Sequence, residues 1–254
     1  MKRILHTEKG LKRAQIWFNE KADLKDVEAG GVDLLEFRES LKPLDIRFKP
    51  FRNGVVNLDR KQEKIFEGLT KGFKYEVRRA QKEGISTAAA YPPEADVLER
   101  CYGDYLSFSR NKSLTVIAAD ALRRYRIQGN LAITWACLSA DARPLQYHVY
   151  FTDEKEAILL ASFPAAGRED VENKFFGFAN RLLHWEDMVL FKSKGFSRYN
   201  LGGVGNPGSA SNENIMKFKL EMSPMVEEYF QAIVPVSWKA KLYWFLRARI
   251  KGEA

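Results

Sequence analysis

The order of predicted elements in the last two thirds of the chain constrains the fold most. Helices are predicted where apolar residues recur every three or four positions, and strands where polarity alternates. In chain order these are helices at 95–110 and 120–127, strands at 130–138, 145–152 and 156–162, a helix at 180–194, a strand at 198–201, a helix at about 211–221 and a strand at 226–235. This order predicts an α+β fold in which helices flank a mixed central sheet.

The first 90 residues give a weaker pattern. Strands are predicted at 14–18, 32–37 and 55–58, and one long helix at 60–83 that ends at Gly84. These elements suit either an abbreviated second layer or a degenerate second copy of the same fold. Two prolines at 92 and 93 interrupt both helix and inner strand, which makes 91–93 the best linker candidate. We therefore expect two domains: an N-terminal α/β region at 1–92 that ends in a basic amphipathic helix, and a second domain at 93–254 that ends in a basic helix.

Composition limits the class of protein. The 254 residues include 41 Lys and Arg against 33 Asp and Glu, a net charge of +8, and 45% are apolar. Enough apolar surface is present to order a globular core, and the positive charge favours anionic partners. No apolar run approaches the roughly 20 residues of a membrane span, and the first residues lack a signal-peptide core, so we expect a cytoplasmic protein. Cys101 and Cys137 are predicted to be ordinary buried thiols.

The helix predicted at 60–83 is amphipathic. Its apolar side carries Phe66, Leu69, Phe73, Val77 and Ala80. Its polar side is basic, with Tyr75 among the charges and Arg79 at the edge, and the cations that would contact substrate phosphates are Lys74, Arg78, Arg79 and Lys82. Several cationic donors on one face suit a phosphate-rich ligand, and a merely solvated face is an equally acceptable interpretation.

A glycine-rich loop follows the strand predicted at 198–201. It contains a formal GxGxxG from Gly203 to Gly208, but too few residues remain for the parallel strands of a dinucleotide-binding unit. A loop beside an active site, with backbone amides close to a ligand, fits better. The next helix carries Lys217 and Lys219, which point to different sides; spacing alone favours solvated lysines.

The histidines do not predict a hydrolase. His6, His148 and His184 are far apart, no GxSxG elbow occurs, and no cluster has metal-ligand spacing, so no metal site is expected. His148 lies in an alternating strand and is interpreted as a strand histidine rather than a base. Glu186 and Asp187 are interpreted as surface carboxylates.

Residues 238–251 mix five cations with aromatic residues at helical spacing. Such a segment could lie on an anionic membrane, at the inner face if the protein is cytoplasmic. A terminal helix packed on its domain, with lysine stems extended toward water, explains the pattern at least as well.

Two observations together indicate that the chain resembles known proteins. The element order is that of the Gcn5-related N-acetyltransferase (GNAT) fold, and five short segments resemble the FemAB family of aminoacyltransferases in register. The segments are Lys74-x-x-Val77-Arg78-Arg79-Ala80-x-Lys82-x-Gly84-Ile85, Asn180-x-Leu182-Leu183-His184-Trp185, Lys192-x-Lys194-Gly195, Tyr199-Asn200-Leu201-Gly202-Gly203-Val204 and Phe218-Lys219. The resemblance covers about residues 54–230.

The resemblance implies transfer of an amino acid from aminoacyl-tRNA to an amine, such as that of an anionic peptidoglycan precursor, without a cofactor. It assigns the family's Phe-Lys pair to Phe218 and Lys219, with Lys219 stabilising the oxyanion of the tetrahedral intermediate. The loop containing Gly202, Gly203 and Gly205 would border the donor or acceptor.

Several departures keep other functions open. The chain is shorter than typical members and shows no coiled-coil arm, Asn200 stands where aspartate is common, and the QxxGxG/A phosphate loop of coenzyme A-dependent GNATs is replaced by Gly167-Arg168-Glu169-Asp170. A GNAT-like transferase using acyl carrier protein or acyl-CoA is the second hypothesis. A non-catalytic module that binds nucleic acid or an anionic membrane is the third.

Overall fold

A computed structural model describes residues 1–21, 24, 27, 30–43, 45–138, 141–204, 210–222 and 225–251. The strands are β1 (Lys2–Glu8), β2 (Leu11–Trp17), β3 (Leu34–Ser40), β4 (Lys49–Asn57), β5 (Ile85–Ala90), β6 (Leu131–Leu138), β7 (Asp141–Thr152), β8 (Glu156–Pro164), β9 (Arg198–Gly203) and β10 (Met225–Pro235). The helices are α1 (Gln62–Gly68), α2 (Lys71–Lys82), α3 (Ala95–Asn111), α4 (Ala119–Ile127), α5 (Asn173–Ser193), α6 (Ala210–Leu220) and α7 (Trp238–Lys251). The mixed α+β architecture expected from the element order is confirmed.

The chain forms two compact units. The first comprises residues 1–53 and 227–254, and the second residues 54–226. The chain therefore passes between units within β4 and β10. This division differs from the boundary expected at residue 92, because Tyr91 packs against the core of the second unit and its phenol accepts a hydrogen bond from Thr152 (3.0 Å).

The first unit is built on a small mixed sheet. β1 and β2 pair antiparallel, β2 and β3 pair parallel, and β3 and β10 pair antiparallel. One cluster of this unit buries Ala14, Ile16, Leu35, Phe37 and Ala232. α7 packs through Ala240, Tyr243 and Trp244 against Leu11 and Leu34. Sequence reasoning missed β1.

The second unit contains the sheet order β9-β8-β7-β6-β5. β5 to β8 pair antiparallel, whereas β8 and β9 pair parallel. α5 contacts β5, β6, β7 and α2, and it buries Leu183, Met188 and Phe191. Gly195 follows this helix with φ +87°, as expected for a glycine at a helix C-terminus.

The parallel ladder between β8 and β9 is short. Its register runs from Glu156 opposite Arg198 to Ile158 opposite Asn200. The β8 residues that follow, Leu159 to Ser162, line a cavity together with Leu201 of β9. The opening thus begins where main-chain pairing ends, and the fold positions the candidate site there.

The prediction of one long helix at 60–83 is wrong, because α1 and α2 are separate helices. Leu69 and Thr70 between them have extended ψ values of 149° and 157°. The Thr70 hydroxyl accepts a hydrogen bond from the Phe73 amide (3.3 Å), so Thr70 caps the start of α2. The apolar spacing stays regular across the break, since Phe66 and Leu69 still reach the same core as Phe73.

Other differences concern element ends. α5 starts at Asn173, two turns before the predicted start, and β7 already begins at Asp141, where a turn was expected. β5 was not predicted. The expected cap at Ser211 and the loop residues 205–209 lie outside the described side chains. Among described residues, no helix is long and apolar enough to cross a membrane.

Candidate functional site

A cavity of about 420 Å³ occupies the opening between β8 and β9. Strand residues form one wall and two helices form the others. The strands contribute Leu159, Leu160, Ala161, Ser162 and Leu201, α5 contributes Asn180 and His184, and α6 contributes Asn214, Ile215, Phe218 and Lys219. The lining therefore combines apolar side chains with one cation and several hydrogen-bonding groups, a composition typical of small-molecule sites.

Lys219 lies at this cavity and is held in place. Its ammonium Nζ donates a hydrogen bond to the Gly203 carbonyl oxygen (2.7 Å). The side chain is partly buried, whereas Lys217, one of its neighbours on α6, is exposed. The structure thus separates the two lysines that spacing alone left equivalent.

A main-chain turn at the C-terminal end of β9 brings Lys219 close to β8. Gly202 has φ +70°, and a Cβ atom at this residue would lie 3.2 Å from the Leu159 carbonyl oxygen and 3.8 Å from Lys219 Nζ. The Asn200 side chain fixes this turn, because its Oδ1 accepts from the Gly202 amide (2.8 Å) while its Nδ2 donates to Glu156 Oε1 (2.6 Å). Gly205 lies outside the described residues.

Phe218 and Arg181 attach α6 to its neighbours. The Arg181 guanidinium lies 5.0 Å from the centre of the Phe218 ring and forms ion pairs of 3.1 Å with Glu76 of α2 and with Glu221 just after α6. The Phe218 ring lies 5.4 Å from the His184 ring. Phe218 therefore packs under the cavity, and Arg181 secures the helix that carries Lys219.

Asn180 gathers several donors at one side of the cavity. Its Oδ1 lies 2.8 Å from His148 Nε2, 3.2 Å from Ser162 Oγ and 3.3 Å from Gln146 Nε2. Each of these three neighbours can donate a hydrogen bond, which agrees with the assignment of this atom as the amide oxygen.

A buried chain of hydrogen bonds runs from Asp187 to the cavity. Tyr150 donates to Asp187 Oδ2 (2.5 Å), and the hydroxyls of Tyr150 and Tyr199 lie 2.8 Å apart. The Tyr199 hydroxyl lies 2.6 Å from His184 Nδ1. His148 Nδ1 lies 2.7 Å from the same Asp187 oxygen. We call the chain Asp187–Tyr150–Tyr199–His184 the buried relay.

Burial determines the protonation of the buried relay. Desolvation raises the pKa of Tyr150 and of Tyr199 well above the usual phenol value, and the Asp187 charge raises both further. Desolvation lowers the pKa of His184 well below its usual value, and His148, Lys219 and Arg181 add repulsion in the same direction. At neutral pH both phenols keep their protons and His184 is uncharged.

The interpretation of Asp187 as a surface carboxylate is wrong. The residue is 1% exposed, because α5 turns it toward β7 rather than toward water. His148 is a strand histidine as expected, but it is also fully buried and paired with Asp187. One sequence signal was available: Asn180, His184 and Asp187 are spaced by four and three residues and so share a helix face.

The basic residues of α2 lie elsewhere. Neither the four predicted phosphate-binding cations of this helix nor Tyr75 lines the cavity that contains Lys219. Tyr75, Arg78 and Lys82 are exposed, Lys74 Nζ donates to the Glu67 carbonyl (3.0 Å), and Arg79 pairs with Glu83. Their placement provides a solvent-facing cationic surface and not a wall of the cavity.

A larger cavity of about 570 Å³ adjoins the first, and the two share Asn180. It is bordered by α3, the start of α5 and the loop at 165–169, which stands where a GNAT phosphate loop would be. Arg168 in this loop is 5% exposed and donates to the carbonyls of Arg143 (2.8 Å) and Pro144 (3.1 Å). Its guanidinium is thus occupied in holding the loop.

Comparison with known proteins supports the fold. No protein-family model matches the sequence, and no curated protein matches it significantly. Among solved structures, FemX matches with a TM-score of 0.63 at 10% identity over 96% of this chain and 85% of FemX. The chain therefore shares the fold of FemX.

Two further structures agree with this assignment. The C-terminal domain (DUF2156) of a protein described as a lysylphosphatidylglycerol synthetase from Agrobacterium fabrum matches with a TM-score of 0.55 at 12% identity, covering 96% of this chain and 86% of that one. L-PGS from Bacillus licheniformis matches with a TM-score of 0.53 at 14% identity, covering 92% and 82%. At such identities the likeness concerns the fold and leaves the reaction open.

Proposed function

We propose that the protein is an N-acyltransferase that moves an aminoacyl group from aminoacyl-tRNA to an amine. The observation that carries this proposal is the position of Lys219, held by the Gly203 carbonyl at a cavity where β8 and β9 separate. The FemAB resemblance selects the same residue. Under this proposal the acceptor is an amine-bearing, anionic cell-envelope precursor of the peptidoglycan type, or a peptide.

The chemistry explains why a fixed cation is needed. When an amine attacks an ester carbonyl, the carbonyl oxygen becomes negatively charged, and a preorganised positive group at that point lowers the barrier. Lys219 supplies this charge. Its bond to Gly203 restricts the side chain before substrate arrives, so little reorganisation accompanies the reaction. Phe218 supports the lysine by packing against Arg181 and His184.

The cations of α2, of which Arg78 and Lys82 are exposed, support a tRNA donor. Lys74, Arg78, Arg79 and Lys82, with Tyr75 among them, would contact the phosphate backbone outside the cavity while the aminoacyl end enters it. Acyl carrier protein, which is acidic, or acyl-CoA is the alternative donor. For acyl-CoA, the engaged Arg168 and the nearby Glu169 offer a poor phosphate site.

A test uses Lys219→Met with Lys217→Met as the matched control. Purified protein is incubated with total tRNA charged with labelled amino acids and with a lysyl peptide amide, and label transfer is followed. We expect Lys219→Met to lose activity by a factor on the order of 10² to 10³ while it stays folded. Lys217→Met, on the exposed side of the same helix, should match wild type. Equal activity of both variants would remove Lys219 from the mechanism.

Donor classes are separated in parallel. A panel of acyl thioesters, with release of thiol as the readout, tests acyl carrier protein and coenzyme A. A non-catalytic module would bind RNA or vesicles in a salt-dependent way and would be indifferent to Lys219. The polar groups gathered at the cavity favour catalysis, since binding through α2 or α7 does not require them.

We also propose peripheral contact between α7 and an anionic membrane surface. Trp238, Leu242, Phe245 and Leu246 are each at least half exposed and lie on one side of α7, opposite the residues that pack on the first unit. We call these four residues the exposed face of α7. Lys239 and Lys241 flank it, and residues 238–251 contain no acidic residue. The aliphatic members of this face, Leu242 and Leu246, gain burial in a bilayer interface but not on a nucleic acid, so the lipid surface fits better.

A further inference from the structure

The buried relay ends at a histidine that faces the cavity, and nothing in the oxyanion mechanism uses it. His184 lines the cavity with Lys219, Ser162 and Asn180. Its Nδ1 atom is occupied by the Tyr199 hydroxyl (2.6 Å). Among the described residues, its Nε2 atom has no hydrogen-bond partner. One ring nitrogen is therefore fixed by the protein and the other is available to a substrate.

The direction of the hydrogen bonds in the relay assigns the proton on His184. Asp187 is an acceptor, so the single Tyr150 proton points to it (2.5 Å). Tyr150 then accepts from Tyr199 (2.8 Å), and Tyr199 in turn accepts from Nδ1–H of His184. An uncharged histidine with its proton on Nδ1 presents a lone pair at Nε2.

We infer that Nε2 of His184 is the base that takes the proton from the attacking amine nitrogen and returns it to the leaving oxygen of the ester. The inference rests on the proposed function. In the step, a C–N bond forms, the C–O bond to the donor breaks, and the proton passes from nitrogen to Nε2 and then to the departing oxygen. The enzyme ends in its starting state, and no other reactant is needed.

The relay orients the imidazole and fixes its tautomer. A carboxylate that fixes the tautomer of a catalytic histidine is a recurrent arrangement, and here two phenols lie between the two groups. The groups that face His184 are His148 from β7, Tyr199 from β9, Lys219 from α6 and Arg181 on its own helix. Burial and repulsion from His148, Lys219 and Arg181 lower the pKa of His184, which keeps the base uncharged until a negative oxyanion forms beside it.

A kinetic experiment compares His184→Gln with His6→Gln, which changes a histidine in β1 of the other unit. We expect His184→Gln to lower kcat by a factor on the order of 10² to 10⁴ with little change in KM, since general-base catalysis contributes about that much. Its activity should also lose the acidic limb expected of wild type, which the lowered pKa of His184 places well below the ordinary histidine range. His6→Gln should behave as wild type. Unchanged kcat and pH profile in His184→Gln would overturn the inference, whereas loss in Lys219→Met alone would leave the proposed function standing.

A second measurement does not depend on activity. Nitrogen-15 NMR of the full-length protein reports which ring nitrogen of each of its three histidines carries a proton. We expect His184, assigned by the loss of its signals in His184→Gln, to carry its proton on Nδ1 at pH 7. Tyr199→Phe keeps the imidazole but removes the relay, and it should yield a mixture of tautomers and a slower enzyme. A proton found on Nε2 in wild type, or a wild-type rate and tautomer in Tyr199→Phe, would exclude the mechanism.

Discussion

Asn200 shows how one side chain can depend on being an amide. It is fully buried and bridges a hydrogen-bond donor and a hydrogen-bond acceptor. Its oxygen accepts from the Gly202 amide, and its nitrogen donates to the Glu156 carboxylate. An aspartate can satisfy only the first of these. The resemblance to FemAB proteins predicts aspartate here, and Glu156 explains why this chain carries asparagine instead.

Asn200→Asp should destabilise the protein most at neutral and alkaline pH. The change places two carboxylates 2.6 Å apart at a site where Glu156 is 2% exposed, which we expect to cost about 1–3 kcal/mol. Repulsion raises the carboxyl pKa in the folded variant above its unfolded value. The lost stability should therefore return as pH falls through that raised pKa and one carboxyl is protonated.

Urea unfolding between pH 4 and 8 measures this effect, with Glu156→Gln added to Asn200→Asp as the control. The double variant carries one carboxylate instead of two and should show a flatter pH profile than Asn200→Asp alone. A profile for Asn200→Asp that is parallel to wild type would show that the two carboxylates do not interact.

The residues of the site were predictable to different degrees. Phe218 and Lys219 could be proposed only through the resemblance, because helical spacing does not distinguish Lys219 from Lys217. His184 and Asp187 share a helix face with Asn180, but which face turns inward depends on the sheet. Their partners in the relay come from β7 and β9, 37 and 15 residues away in the chain. Sequence periodicity carries no information about such pairs.

At the level of elements, the break between α1 and α2 is set by one hydroxyl and one main-chain contact. The Thr70 side chain caps α2, and the Thr70 amide donates to the Glu221 carbonyl (3.1 Å) just after α6. The break thus ties the basic helix to the end of the helix that carries Lys219. A straight helix through residue 70 would remove both contacts.

Thr70→Ala should destabilise the protein by about 1 kcal/mol, the usual cost of losing an N-terminal cap. Thr70→Ser keeps a hydroxyl at the same position and serves as the control; it should recover most of the loss. Thermal or urea unfolding of the three proteins measures the difference. Equal stability of the alanine and serine variants would show that the hydroxyl does not hold the start of α2.

The order of elements was predictable because it depends on local patterns, whereas their ends and isolated short strands were not. All seven elements expected after residue 130 are present, with ends that differ by up to seven residues. β5 was missed because a run of small residues, Ser86 to Ala90, lacks the alternation of a half-buried strand. α1 and α2 were merged because their shared apolar face conceals a break in the main chain.

For the whole molecule, the cations of α2 and those of α7 belong to two kinds of surface, and both contribute to a chain of net charge +8. On α2, Tyr75 is the one exposed large hydrophobic residue among the cations. Such a polar, cationic surface suits the binding of phosphates in water. The cations of α7 border an apolar face. The two surfaces should therefore respond differently to the same change of ligand, with α2 sensitive to RNA and salt and α7 sensitive to lipid.

Replacing Leu242 and Phe245 together by glutamate should abolish binding to vesicles of phosphatidylglycerol and phosphatidylcholine, because it removes apolar area and places negative charge on the exposed face of α7. The control is Leu114→Glu with Ile127→Glu, which makes the same charge change at exposed apolar positions of the other unit. Co-sedimentation should show wild type and control bound to anionic vesicles and not to pure phosphatidylcholine. Two outcomes would assign the face to another partner. One is binding of the α7 variant to vesicles at the wild-type level. The other is that wild type and control are dimers while the α7 variant is a monomer.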